Sequence, residues 1–115
     1  MGNPSPAIRR LLRLIPEETK IHLWSDMDYG GFNILSQLRK QVGVRVEPFL
    51  MDMSTFEKHA ALSRPLTQAD IRNLKRLAFN PNLRDAQPVI EHLLIRRLKL
   101  EQEAVDQLQL IMAVS

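Results

Sequence analysis

Apolar residues along the first half of the chain keep two different spacings. In "AIRRLLRLI", residues 7 to 15, Ile8, Leu11, Leu12 and Ile15 recur at the helical interval, with Ser5 able to cap the segment, Pro6 at its first position and Pro16 ending it. "KIHLWS", residues 20 to 25, carries a short continuous apolar run instead, which predicts a strand buried on both faces and finishing at Ser25. Helical spacing returns from about residue 32 to residue 42: Phe32, Leu35 and Leu38 face inward, Gln37, Arg39 and Lys40 outward, and Gly43 closes the helix. "VRVEPFLMD", residues 44 to 52, reads as a second strand. Strand, helix and strand across residues 21 to 51 make one βαβ crossover, the connection that parallel strands require.

The second half changes character. "STFE" at 54 to 57 has the pattern of a capping box, Ser54 with Glu57, and "TQAD" at 67 to 70 has the same pattern before a helix carrying Ile71, Leu74, Leu77 and Ala78. "NPN" at 80 to 82 interrupts it, and Asp85 is expected to cap a further helix bearing Val89, Ile90, Leu93, Leu94 and Leu98. From Leu100 the helical pattern resumes through Val105, Leu108 and Met112. The expected architecture is α/β: one domain over residues 1–115, with a short parallel sheet flanked by helices in residues 1–53 and a helical part in residues 54–115. Two strands are few for a free-standing domain, so either a further strand is hidden in the pattern or the chain is part of a larger unit, which is the preferred reading.

Composition narrows the function classes. The chain has no cysteine, which excludes disulfides, thiolate metal sites and thiol nucleophiles and suits a reducing, cytoplasmic setting. No apolar run approaches the roughly 18 residues of a membrane span, and "MGNPSPAIRRLL" lacks the apolar stretch of a signal peptide; no membrane partner is expected. The net charge of +3 permits an acidic partner such as nucleic acid without demanding one.

The chemistry concentrates in "SDMDYGG", residues 25 to 31, which follows the first strand at the end where open parallel sheets bind ligands. Asp26 and Asp28 are two positions apart, a spacing that turns both carboxylates to one side of an extended chain. A hard cation such as Mg²⁺ takes such oxygens together with waters and phosphate oxygens, and it relieves the repulsion between them. Gly30 and Gly31 allow a phosphate to approach the backbone, with the amides opening the next helix as donors. The plainer alternative is that Asp28 is only the N-cap of that helix. His22, His59 and His92 have no partner at ligand spacing and read as ordinary packing residues.

Basic residues form three groups. Arg72, Lys75 and Arg76 make a ridge opposite Ile71 and Leu74 that suits DNA phosphates. Arg96, Arg97 and Lys99 form a second group, and Arg9, Arg10 and Arg13 a third. A solvated outer face is the plainer reading of each of them.

"HLWSDMDYGGFNILSQLRKQVGVRVEPFLMD", followed much later by "LKLEQEAV", resembles the C-terminal domain of JetD-type subunits of Wadjet plasmid-defence systems. The matching residues are Trp24, Ser25, Asp26, Asp28 and Gly31, then Leu50, Met51 and Asp52, then "LEQE" at residues 100 to 103; "GNPSPAIRRLL" also fits. That domain is a Toprim fold, similar to the one in the A subunit of topoisomerase VI. The resemblance implies a Mg²⁺-dependent DNA endonuclease, with Mn²⁺ as an alternative ion, acting beside an SMC-type defence complex. It assigns the cation to Asp26 and Asp28, and it calls for a glutamate on an upstream strand that would precede Gly2. Glu17 and Glu18 lie in the turn "PEETK" and do not match that glutamate. The chain is therefore expected to be an N-terminally truncated, partial Toprim-like domain, weak or inactive on its own. Glu101 and Glu103 match the "LEQE" block, with helix capping or a salt bridge as their default role.

Two rival classes fit parts of the pattern. A phosphatase of the haloacid dehalogenase type also places D-x-D after a strand, but it needs a lysine and further carboxylates on later strand ends. A non-catalytic interaction module is the other rival, forming a homodimer through Val105, Leu108 and Met112.

Overall fold

The computed structural model describes residues 6–42, 45–101 and 112–114. Helix α1 spans Pro6–Arg13, and strand β1, Ile21–Leu23, follows it. Strand β1 lies at the centre of a three-stranded sheet. The next strand, β2 (Val46–Pro48), pairs with it in parallel, Ile21 opposite Val46 and Leu23 opposite Pro48. Helix α2, Tyr29–Val42, makes the crossover between them. This is the βαβ unit read from the pattern, and it forms for the reason given there: β1 buries Ile21 and Leu23, while α2 lays Phe32, Leu35 and Leu38 on the same core.

The third strand corrects the expectation of a wholly helical second half. Met112–Val114, strand β5, pairs antiparallel with β1 on the edge opposite β2, Leu23 facing Met112 and Ile21 facing Val114. Met112 was expected on a helix. A short apolar run such as "LIMAV" carries no period long enough to separate the two states, and a free edge of β1 decides for the strand. Ser5, Gly43, Glu103, Val105 and Leu108, and the side chains of Ile8, Arg9 and Leu12, lie outside the described residues.

Helix α3, Met53–Lys58, is capped by Asp52, whose Oδ1 accepts the Thr55 amide at 2.8 Å. Ser54 is therefore not its cap. Glu57 turns to His92 and Arg96 instead, and those two also meet the ring of Phe56, edge-on and face-on. Helix α4, Gln68–Leu77, opens with the expected box: Thr67 Oγ1 accepts the Asp70 amide at 3.1 Å, and the Asp70 carboxylate accepts the Thr67 amide at 2.8 Å. A 3₁₀ segment, Pro81–Ala86, then leads into α5, Gln87–Arg96. Asp85 lies within that segment and does not cap α5.

Helix α5 ends where Arg97 adopts φ 56°, a left-handed conformation that turns the chain out of the helix. Leu98 is thus not helical. It begins strand β4, Leu98–Lys99, which pairs antiparallel with β3, Arg64–Pro65. One apolar cluster unites both halves of the chain, running from Ile21 and Phe32 through Phe56 and Leu74 to Leu93 and Leu100.

The clearest departure within the βαβ unit is Arg39. It was expected to face solvent, yet it is buried, with only 6% of its side chain exposed. Its Nε donates to the Val46 carbonyl at 2.8 Å, and its terminal nitrogens reach the Asn82 carbonyl and both Asp85 oxygens. Arg39 borders the Leu35–Leu38 face, so its methylene stem can lie along apolar surface while the head group finds acceptors from two segments, β2 and the 3₁₀ stretch.

Candidate functional site at the D-x-D loop

The loop that carries Asp26 and Asp28 leaves the carboxyl end of β1. Trp24, immediately after the strand, is fully buried, and its indole Nε1 has no acceptor among the described residues. Met27, between the aspartates, is held by a two-bond antiparallel bridge to Leu100. The Met27 amide donates to the Leu100 carbonyl at 2.7 Å, and the Leu100 amide donates back at 3.1 Å. Met27 and Leu100 are both buried in the core, at 1% exposure each. Asp26 and Asp28 flank Met27; both are half-buried, and they lie near enough for the Asp26 charge to act on Asp28. The bridge at Met27 and Leu100 brings the chain around Lys99 beside this loop, and the Lys99 charge acts on Asp28.

Asp28 performs a structural task here as well. Its Oδ1 accepts the Gly31 amide at 2.8 Å and its carbonyl accepts the Phe32 amide at 3.1 Å, so it closes the N-terminus of α2. One carboxylate oxygen is committed to that cap, and capping does not exclude a second role for the other. Burial holds the Asp28 carboxyl above the usual range and the Asp26 charge pushes it the same way. The Gly31 amide and the Lys99 ammonium pull in the opposite direction without cancelling the rise.

The paired glycines differ sharply. A Cβ on Gly31 would lie 1.8 Å from the Asp26 carbonyl oxygen, so the space a side chain would fill is taken by the D-x-D backbone itself. A Cβ on Gly30 would meet nothing closer than Asp28 Oδ1 at 3.5 Å, an ordinary contact. Gly31 therefore lets the loop fold onto α2, while Gly30 leaves room beside the Asp28 carboxylate.

Among the described residues, no group of three or more His, Asp or Glu side chains is arranged to hold a metal ion. The donor set is two neighbouring, half-buried carboxylates whose charges act on each other, with one Asp28 oxygen already accepting the Gly31 amide. That fits Mg²⁺, which binds through one or two carboxylates and keeps several waters or phosphate oxygens. Glu17 and Glu18 are exposed in the turn before β1 and do not join the pair. Two surface clefts, one around Phe79, Arg84 and Glu91 and one around Arg39, Glu47 and Asp85, include no residue of this loop.

The basic groups separate in the structure. Arg72, Lys75 and Arg76 are all exposed on α4 and make no ion pair among the described residues. Arg96 is engaged by Glu57, and Arg64 stands 3.9 Å from Glu101. Lys99 donates to Asp70 at 3.0 Å, with both side chains mostly covered. Of the histidines, His59 Nδ1 lies 3.1 Å from the Thr55 carbonyl and His92 meets Glu57. Lys99 and Asp70 are the two neighbours of the site that sequence reasoning missed. Reading residues 98 to 100 as helix hid the strand that brings Lys99 to Asp28.

Comparison with known proteins follows the same residues. The family model described as "Wadjet protein JetD, C-terminal" matches residues 2–113. A curated relative, the Wadjet protein JetD of Bacillus cereus (strain Q1), is 21% identical over 109 residues, which cover 90% of this chain and 27% of that protein. The chain thus spans about a quarter of that relative's length. No solved structure matches it.

Proposed function

The chain belongs to the Wadjet protein JetD C-terminal family, and from that premise we propose that it supplies the divalent-cation site for cleavage of a DNA phosphodiester in a plasmid-defence assembly. The observation that carries this reading is the pair Asp26 and Asp28. They flank Met27, which is anchored to Leu100, in the loop at the carboxyl end of β1, and the Asp26 charge acts on Asp28. Asp26 and Asp28 would hold Mg²⁺, or Mn²⁺ in its place. Bound there, the ion would offset charge on a phosphoryl oxygen and lower the pKa of a coordinated water.

The chain's own residues would prepare that site. Met27 and Leu100 fix the height of the loop, Gly31 lets it close on α2, and the Gly31 amide orients the Asp28 carboxylate. The raised pKa of Asp28 comes first from burial and then from the Asp26 charge, and a divalent ion would offset the second of these. Space beside Gly30 would admit a phosphate oxygen. Arg72, Lys75 and Arg76 would supply salt-sensitive contacts to DNA.

This arrangement supports a Toprim-type nuclease whose further acidic residue comes from outside the described residues. The substrate would be DNA, and the partners would be the other subunits of a Wadjet complex, with a homodimer as an additional state. Paramagnetic broadening tests the site. Mn²⁺ added in small steps should first erase the amide resonances of residues 26 to 31 and 99 to 101, and the substitutions Asp26→Asn and Asp28→Asn together should abolish that selectivity. Broadening that is uniform over the chain would refute the assignment.

A further inference from the structure

Lys99 is placed by two independent constraints. The Met27–Leu100 bridge holds it, as the residue next to Leu100, against the D-x-D loop, near enough for its charge to act on Asp28, and strand β4 pairs it with Arg64. Its ammonium is not spent on solvent: it donates to Asp70 Oδ2 at 3.0 Å, and only 23% of the Lys99 side chain and 22% of that of Asp70 are exposed. Asp70 is itself fixed by the Thr67 amide in the capping box of α4. A single lysine thus stands among Asp28, Asp70 and the neighbouring Asp26, and close enough for its charge to act on Asp28.

We infer that Lys99 is an anion-binding residue of the D-x-D site, latched by Asp70 in the resting chain and released to a phosphodiester phosphate once a divalent cation occupies Asp26 and Asp28. The inference rests on the cation reading of Asp26 and Asp28 given above. Its logic is charge. Among the described residues whose charges act on Asp28, Asp26 and Asp70 together with Asp28 itself outnumber the lysine, so the cation-free site repels a phosphate. A divalent ion added to the pair brings that local sum near neutrality, and the lysine then faces an incoming anion without a surplus of negative charge behind it. Binding is consequently ordered, cation first and phosphate second. Glu101 does not alter the balance, because Arg64 lies beside it.

A purely structural role is the alternative, with the Lys99–Asp70 pair tying β4 to the start of α4. The two roles differ in sign for the two partners. Anisotropy of a labelled short DNA duplex, measured on the full 115-residue chain with Ca²⁺ as the ion, reads phosphate binding; calorimetry with Ca²⁺ alone reads the cation site. Lys99→Gln should weaken duplex binding about tenfold, the range for losing a hydrogen bond to a charged group. It should also flatten the salt dependence by about one phosphate contact, while Ca²⁺ binds as tightly as before or more so. Lys99→Arg should retain most of the affinity. Asp70→Asn keeps an acceptor for Thr67 but loosens the latch, so it should strengthen duplex binding a few-fold. Unchanged duplex affinity in Lys99→Gln, or equal weakening in Lys99→Gln and Asp70→Asn, would overturn the inference while leaving the cation site standing. Failure of the wild type to bind Ca²⁺ would remove both.

Discussion

Arg39 and Asp85 form a two-pronged ion pair across 46 positions of sequence, with nitrogen–oxygen distances of 2.7 and 2.9 Å. The partners are unequal: 6% of the arginine side chain is exposed, against 55% of the aspartate. Removing Asp85 leaves a guanidinium in the interior with only the Val46 and Asn82 carbonyls to satisfy it. Asp85→Ala should therefore cost about 2 kcal/mol, below the usual range for a fully buried pair because the carboxylate is well solvated. Urea denaturation measures it. A cost within the few tenths of a kcal/mol typical of surface positions would show that Arg39 does not depend on the pair.

Acid should unfold the chain through a small set of carboxylates. Asp85 is held low by its hydrogen bonds to Arg39, and Asp52 by the hydroxyl and amide of Thr55. For Asp70, burial works upward but is outweighed by the Thr67 amide and Lys99. A lowered carboxyl contributes stability that is present above its ordinary value, near 3.8 for aspartate, and lost as pH falls through its folded value. Asp28 has the opposite sign: its folded form favours the proton, so its contribution is present at low pH and lost as pH rises through its raised value. Asp28→Asn should accordingly stabilise the chain at about pH 7 and lose that advantage by about pH 3. Urea midpoints collected across that interval check both signs at once.

Gly31 and Gly30 should respond oppositely to the same change. Gly31→Ala forces a Cβ into the Asp26 carbonyl, 1.8 Å away, so the D-x-D loop must lift from α2. A loss of about 3 kcal/mol, the upper part of the overpacking range, is expected. Gly30→Ala meets only ordinary contacts at the first turn of a helix and should be neutral or stabilising by up to about 1 kcal/mol. Thermal melting of both variants suffices, and similar melting temperatures for the two would contradict the geometry.

The βαβ unit and its acidic loop were legible because local signals agreed there. An apolar run, a turn with two glycines and a helical stripe through Phe32, Leu35 and Leu38 point to one arrangement, and the structure has it. The α4 capping box was equally local and equally readable. What escaped depended on partners far away in sequence. Arg39 is charged and looks solvent-facing until Asp85 and two carbonyls arrive from other segments. Asp85 resembles a helix cap until Arg39 claims it, and Asp52 rather than Ser54 caps α3 because the chain enters that helix two positions earlier than the box pattern implies. Residues 98 to 100 look helical, but the left-handed Arg97 ends α5 and delivers Lys99 and Leu100 to the D-x-D loop. No local period encodes that turn, so the charged surroundings of Asp28 were invisible from sequence.

The central claim is that Asp26 and Asp28 act jointly on one divalent ion. Isothermal titration of Mg²⁺ into the chain and into the variant carrying Asp26→Asn with Asp28→Asn tests it most directly, with circular dichroism confirming that both are folded. The account predicts one saturable site in the wild type, lost in the double variant, with each single variant weakened. Identical titrations for wild type and double variant would contradict it.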